Sequence, residues 1–273
     1  MKILKFFVII SFSLSFSWNG HANSVLKETK NYSSDHVFTL LLNISEQPNF
    51  KERGILKAEY REFVEELKDK KAKWNDDHRL LEHLFYKVHR KYLKRYVPYK
   101  SFQDLFESGT YGCLTGTALY AFLLEELGFE YEIIETNYHM FLLVNSNGRK
   151  YLLESTDSFE GFEYAPDRIE ARIADAYKKN KIGGEHHTFS YDIYRSISYT
   201  ELIGLQYYNT AINAFNEGNL KMTLYCLNEA SKFNKSERIQ EFLELMLDSV
   251  DNASRLEKVI LNFDELSTLI AVN

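Results

Sequence analysis

"FEYEIIETNYHMFLLVNSNGRKYLLEST", residues 129–156, is where the chain changes its period. Three short runs, 129–136, 137–145 and 149–156, are rich in the aromatic and branched residues that suit a pleated, half-buried surface. "NSNG" links the last two. Asn and Gly tolerate the left-handed backbone that a two-residue hairpin turn requires, so this spacing predicts a hairpin inside a small antiparallel sheet.

Directly ahead stands "YGCLTGTALYAFLLEELG", residues 111–128, which predicts a helix opened by Cys113, striped by Leu119, Leu123, Leu124 and Leu127, and stopped by Gly128. Further upstream, 35–44, 52–73 and 76–96 are helical patterns. In the last, Leu80, Leu81, Leu84, Phe85, Val88 and Tyr92 recur at three- and four-residue steps, and Pro98 closes the run. Beyond Pro166 the chain is helical again over 167–180. A glycine-containing loop follows, with His186 and His187 read as exposed, and helices resume from Tyr199. Within them, 207–236 predicts a helical hairpin turning at Gly218, with Ala211 and Ala230 at the crossing. The fold class expected is α+β: N-terminal helices, a cysteine-bearing helix packed on a small antiparallel sheet, then an all-α tail.

The chain has 273 residues and opens with Lys2 and Lys5, an apolar stretch from Phe6 to Phe16, and small residues Gly20 and Ala22 at a cleavage-site spacing. Residues 1–22 are read as a secretory signal peptide, because the apolar stretch falls short of the about 20 residues that span a bilayer. The remainder is expected to be exported, periplasmic or secreted, with no membrane span, and to divide into 23–195 and 196–273. Losing Lys2 and Lys5 takes the net charge from −6 to −8. That balance disfavours nucleic acid, which needs a concentrated basic surface; the basic cluster 89–96 is read as a solvated helix face. Export leaves open a disulfide between Cys113 and Cys226, the two cysteines. No paired Cys/His spacing points to a metal and no cofactor is expected; GxSxG, GxxxxGK[ST], GxGxxG and HExxH are absent.

Cys113 is the candidate nucleophile. Free amides and the dipole at a helix N-terminus favour the thiolate, and the glycines of "SGTYG" (108–112) would admit a substrate close to the backbone. His139 lies in the second run, where an imidazole among apolar residues needs a hydrogen-bonding partner. The turn decides which. Asn147-Gly148 as the turn sets His139 opposite Thr156 with Glu154 diagonal; Ser146-Asn147 sets it opposite Glu154; a three-residue loop brings Asp157 to that face instead.

Cysteine opening a helix in 111–128, histidine in "YHMFLLV" and an acid in "YLLESTD" resemble the transglutaminase-like superfamily, whose core is papain-like. The resemblance covers about residues 100–160, and the upstream helices resemble bacterial exported members. The family's acid is usually aspartate; here the strand end reads Glu154-Ser155-Thr156. The hairpin at 207–236 resembles one degenerate tetratricopeptide repeat, with Thr223 and Lys235 departing from its pattern. What the first resemblance implies is a thiol acyl-enzyme acting on a peptide or protein, most simply a peptidase or amidase. His139 takes the Cys113 proton, the thiolate attacks an amide or ester carbonyl, and Glu154, or Asp157 in its place, orients the imidazole. The Cys113 amide would serve the oxyanion, with Tyr111 or Gln103 as candidates for a second donor. A non-catalytic scaffold of the same fold is the other reading, binding a peptide or a partner protein through its pocket and C-terminal helices.

Overall fold

A computed structural model of the chain describes residues 32–44, 50–137, 139–181 and 193–248. The signal peptide expected at 1–22 and the His186-His187 pair lie outside the described residues.

In chain order the elements are α1 (Ser34–Asn43), α2 (Phe50–Trp74), α3 (Asp77–Lys91), β1 (Arg95–Tyr96), α4 (Phe102–Glu107), β2 (Thr110–Tyr111), α5 (Cys113–Glu126), β3 (Glu130–Thr136), β4 (Met140–Ser146), β5 (Arg149–Leu153), β6 (Phe162–Glu163), α6 (Pro166–Lys181), β7 (Tyr194–Ile197), α7 (Tyr199–Asn216), α8 (Leu220–Phe233) and α9 (Glu237–Asp248). The molecule is α+β. One antiparallel sheet runs β6-β5-β4-β3-β7, and β1 and β2 form a separate two-residue parallel pair.

α5 lies at the centre. Every residue from Leu114 to Leu124 is buried, because the helix is apolar all round rather than along one stripe. It packs on β3 and β4 on one side and on α1, α4 and α7 on others. The sheet's α5 face carries Ile133, Met140, Leu142, Val144, Tyr151 and Leu153. Its other face carries Ile134, Phe141, Leu143 and Leu152, and α6 covers these with Ile169, Ile173 and Ala176. β4 is therefore buried on both faces, which is why "MFLLV" reads as a continuous apolar run rather than an alternation.

The β4–β5 register pairs Ser146 with Arg149 and Leu142 with Leu153. Asn147 and Gly148 make the turn with φ of 50° and 75°, the left-handed pair of a type I′ hairpin. Asp77 fixes the turn from outside, accepting from Asn147 Nδ2 at 2.8 Å and from the Ser146 hydroxyl.

Three features depart from the sequence reading. The helix expected over 76–96 ends at Lys91, and Tyr92 and Leu93 turn into the core. The chain then pairs Arg95 with Thr110, and the Arg95 amide donates to Gly109 O at 3.1 Å. Of the basic cluster, Arg90, Lys94 and Arg95 are exposed as expected, but they do not share one helical face because α3 ends at Lys91, and His89 is buried against Phe85 and Tyr120. The boundary drawn at 195/196 runs through β7, whose Arg195 pairs with Glu135 of β3. α7 carries Leu202, Ile203 and Leu205 into the main core before entering a second apolar cluster with α8 and α9. At its crossing with α8 stands Gly204, where a Cβ would meet Asn234 Cβ at 2.5 Å and Ala230 O at 3.0 Å.

Candidate active site

Cys113 is the first residue of α5, behind the N-cap Gly112, which supplies no side-chain acceptor. The Thr115 hydroxyl turns back instead and accepts from the Gly112 amide at 2.9 Å. The first-turn amides of Cys113 and Leu114 are left turned on the sulfur, and both favour the thiolate. Burial outweighs them. It pushes the Cys113 thiol above its ordinary value, although the Leu114 amide, the charge of Arg238 and the Cys113 amide all pull the other way. The lowered thiol pKa expected from the helix terminus is thereby corrected, because desolvation is the larger effect. Neither cysteine joins a disulfide: Cys113 is half-buried and Cys226 is buried within α8.

The first turns of α5 press against the residues just past β5. Ser155 Oγ lies 3.5 Å from Cys113 O and 3.4 Å from Thr117 Oγ1, and a Cβ on Gly116 would come within 2.8 Å of Ser155 Cβ. Thr117 Oγ1 is also 3.4 Å from Met140 O, one residue after His139. Gly116 is thus what lets the cysteine helix approach the strand ends so closely.

His139 sits immediately before β4 rather than within it. Thr136 pins its backbone: the Thr136 amide donates to His139 O at 2.9 Å, and the His139 amide donates to Thr136 Oγ1 at 3.0 Å. Its Nε2 is 2.9 Å from Glu154 Oε1 and 3.5 Å from Thr156 Oγ1. These are the neighbours that the Asn147-Gly148 turn assigns, Thr156 across and Glu154 diagonal. A carboxylate at Nε2 places the neutral ring's proton there and leaves the Nδ1 lone pair to accept another. Among the described residues, no hydrogen bond joins the Cys113 sulfur to this ring.

Glu154 is held from three sides. Its Oε1 also accepts from Thr156 Oγ1 at 3.2 Å, and its Oε2 accepts from Arg172 Nη1 at 3.0 Å. Burial pushes this carboxyl up, but His139, Arg172 and the Thr156 hydroxyl together hold it below its ordinary value. Asp157 does not meet the imidazole. It caps its own loop, accepting from the Phe159 and Glu160 amides at 3.1 and 2.9 Å, and it pairs with Arg172 Nη2 at 3.2 Å. These amides and the guanidinium offset burial and keep its carboxyl low as well. Arg172, on α6, was not singled out from the sequence; its forked contact with both acids is visible only once α6 lies over the sheet.

The oxyanion candidates have other engagements. Gln103, buried on α4, directs its amide nitrogen to the Glu107 carboxylate. Tyr111 packs its ring against Tyr96 and Gly116. The glycines of 108–112 serve packing more than substrate access: Gly109 turns with φ of 69°, with Lys94 against it, and Gly112 lies against the Val97 carbonyl. Tyr96 is a neighbour of the thiol that the sequence did not mark; burial first, and the Cys113 charge second, raise its phenol.

No protein-family model matches the chain, and no curated protein or solved structure is significantly similar to it.

Proposed function

We propose that the protein is an exported thiol acyl-enzyme of transglutaminase-like, papain-like type, with Cys113 as nucleophile, His139 as base and Glu154 as the acid that orients the base. One observation carries this reading: His139 Nε2 lies 2.9 Å from Glu154 Oε1, at the strand ends against which the first turns of the cysteine helix pack. A strand-end imidazole with one nitrogen held by a carboxylate and the other left to accept a proton is arranged as the base of a triad. The raised thiol makes that base necessary. Cys113 rests protonated at neutral pH, so Nδ1 of His139 removes its proton as the sulfur attacks, and no preformed thiolate is used. The Cys113 and Leu114 amides, free of any side-chain cap, receive the developing oxyanion. Peptides or proteins are the substrate class, with water as the acceptor for hydrolysis.

The missing sulfur–imidazole hydrogen bond favours a second reading, a scaffold that keeps the fold and binds a peptide without turnover. The two readings diverge in one measurement. With p-nitrophenyl acetate as probe, the wild type is expected to form an acetyl adduct at Cys113, read by intact mass. His139→Ala should slow that acylation by about 10²- to 10⁴-fold, the range of general-base assistance. Equal rates in the two proteins would leave the scaffold in front.

A further inference from the structure

Arg238, in the first turn of α9, is distant from His139 in sequence but bonds the backbone of the turn just ahead of it. Its Nη2 donates to Thr136 O at 2.8 Å and to Asn137 O at 3.2 Å. Thr136 is the residue whose amide and hydroxyl hold the His139 backbone, so the guanidinium grips the base of the turn that presents the imidazole. Only 15 % of the Arg238 side chain is exposed, and its charge reaches the Cys113 sulfur. The groups facing it are Glu135 of β3, with Oε1 at 3.6 Å, and the Tyr208 phenol of α7; Glu135 is shared with Arg195 of β7 at 2.8 Å. Glu241 on its own helix bears on the same Tyr208, and Tyr96 of β1 is within electrostatic reach of the thiol.

From this geometry we infer that Arg238 is a positioning residue of the Cys113–His139 site. It ties the His139 turn to α9 and sets a fixed positive charge near the thiol, making the C-terminal helices part of the reactive unit rather than an appended binding module. The inference rests on the acyl-enzyme reading given above. It assigns to α9 a task that neither a peptide groove nor a helical spacer would need.

The test is the rate of iodoacetamide labelling of Cys113 against pH, followed by intact mass on the full chain. Only the thiolate reacts, so the midpoint of the profile reports the thiol itself. Arg238→Gln is expected to raise that midpoint by about 0.5–1 pH unit, which slows labelling at pH 7 by about three- to tenfold. Arg238→Lys keeps the charge but not the fork, and should return the midpoint to within about 0.3 unit of wild type. Arg238→Met, which retains the packing of the stem, replaces the glutamine variant if that one does not fold. A glutamine or methionine midpoint equal to wild type, or a lysine midpoint equal to glutamine, overturns the inference. The two failures separate cleanly: acylation by p-nitrophenyl acetate that ignores His139→Ala sinks the acyl-enzyme reading, whereas an unmoved midpoint in a protein that does acylate through His139 sinks only the role of Arg238.

Discussion

Cys113 and Cys226 are the same residue type, one half-buried and one buried, and the fold surrounds them with opposite materials. Cys226 stands in the middle of α8, 2 % exposed, in a cluster with Ala211, Leu224, Tyr225, Leu227 and Met246. There it behaves as a small apolar side chain. Cys113 occupies a first turn whose amides point at the sulfur, with Arg238 and Tyr96 within electrostatic reach and the ends of β4 and β5 packed against the helix. Burial raises the Cys113 thiol despite those helpers, so the helix terminus alone does not make it reactive. What separates the two thiols is the polar frame, and the frame is assembled from elements far apart in the chain, among them α5, β4, the end of β5, α6 and α9.

Removing the base is the strongest way to break this contrast, and the loss of about 10²- to 10⁴-fold in acylation expected for His139→Ala is the largest effect. Glu154→Gln comes next. The amide keeps the volume but cannot stabilise an imidazolium, and its NH₂ would face either Nε2 or the Arg172 guanidinium. Acylation by p-nitrophenyl acetate should fall roughly a hundredfold, with Cys226 remaining unlabelled in the folded protein. Asp157→Asn should cost far less, because Asp157 meets Arg172 and two loop amides rather than the ring. If the Asp157 variant proves the slower of the two, the assignment of the acid is wrong.

These residues also show how far the sequence could be read. The hairpin was legible because an Asn-Gly turn admits few registers, and once its register is set, Glu154 and Thr156 fall beside His139 with no further freedom. Cys113 at a helix start was legible for a similar local reason: Gly112 precedes an unbroken apolar helix. Arg172 and Arg238 were not, since nothing in their own stretches, "EARIAD" and "SERIQE", distinguishes them from solvated arginines; packing of α6 and α9 delivers them. The direction of the Cys113 shift was missed for the same kind of reason. Helix-terminus amides are a local feature, while the burial that outweighs them comes from distant chain. The end of α3 was misplaced because "YLKRY" keeps helical spacing, and only the pairing of Arg95 with Thr110 takes it elsewhere.

Acid should loosen the site end of the molecule. His89, buried under this region, is pushed down to about 4 by burial, against a small opposing effect of the Asp157 charge. Its folded pKa lies below its unfolded one, so between pH 6.5 and about 4 the unfolded chain binds the extra proton and stability falls as pH falls. Glu154 and Asp157, both held low, add a further loss that begins as pH drops below their ordinary values. Thermal melts of wild type and His89→Phe from pH 7 to pH 4 check this. The variant should lose about 2–3 kcal/mol less over that window, at 1.36 kcal/mol per unit. Parallel melting curves for the two proteins would show that His89 is not the group responsible.

Cys226→Ala should give the smallest effect and the sharpest control. The substitution removes one sulfur from a packed apolar cluster, which costs about 1 kcal/mol and lowers the melting temperature by about 2–4 °C for a chain of this size. Labelling of Cys113 should keep its rate and its pH midpoint, because Cys226 belongs to the apolar cluster with Leu224, Leu227 and Met246, which does not include Cys113. The prediction has a second edge. Met246 of α9 shares the Cys226 cluster, and α9 also carries Arg238. If loosening the cluster moves the Cys113 midpoint upward, α9 transmits the packing of the apolar region to the polar one, and the two cysteines are then coupled through a single helix rather than merely contrasted.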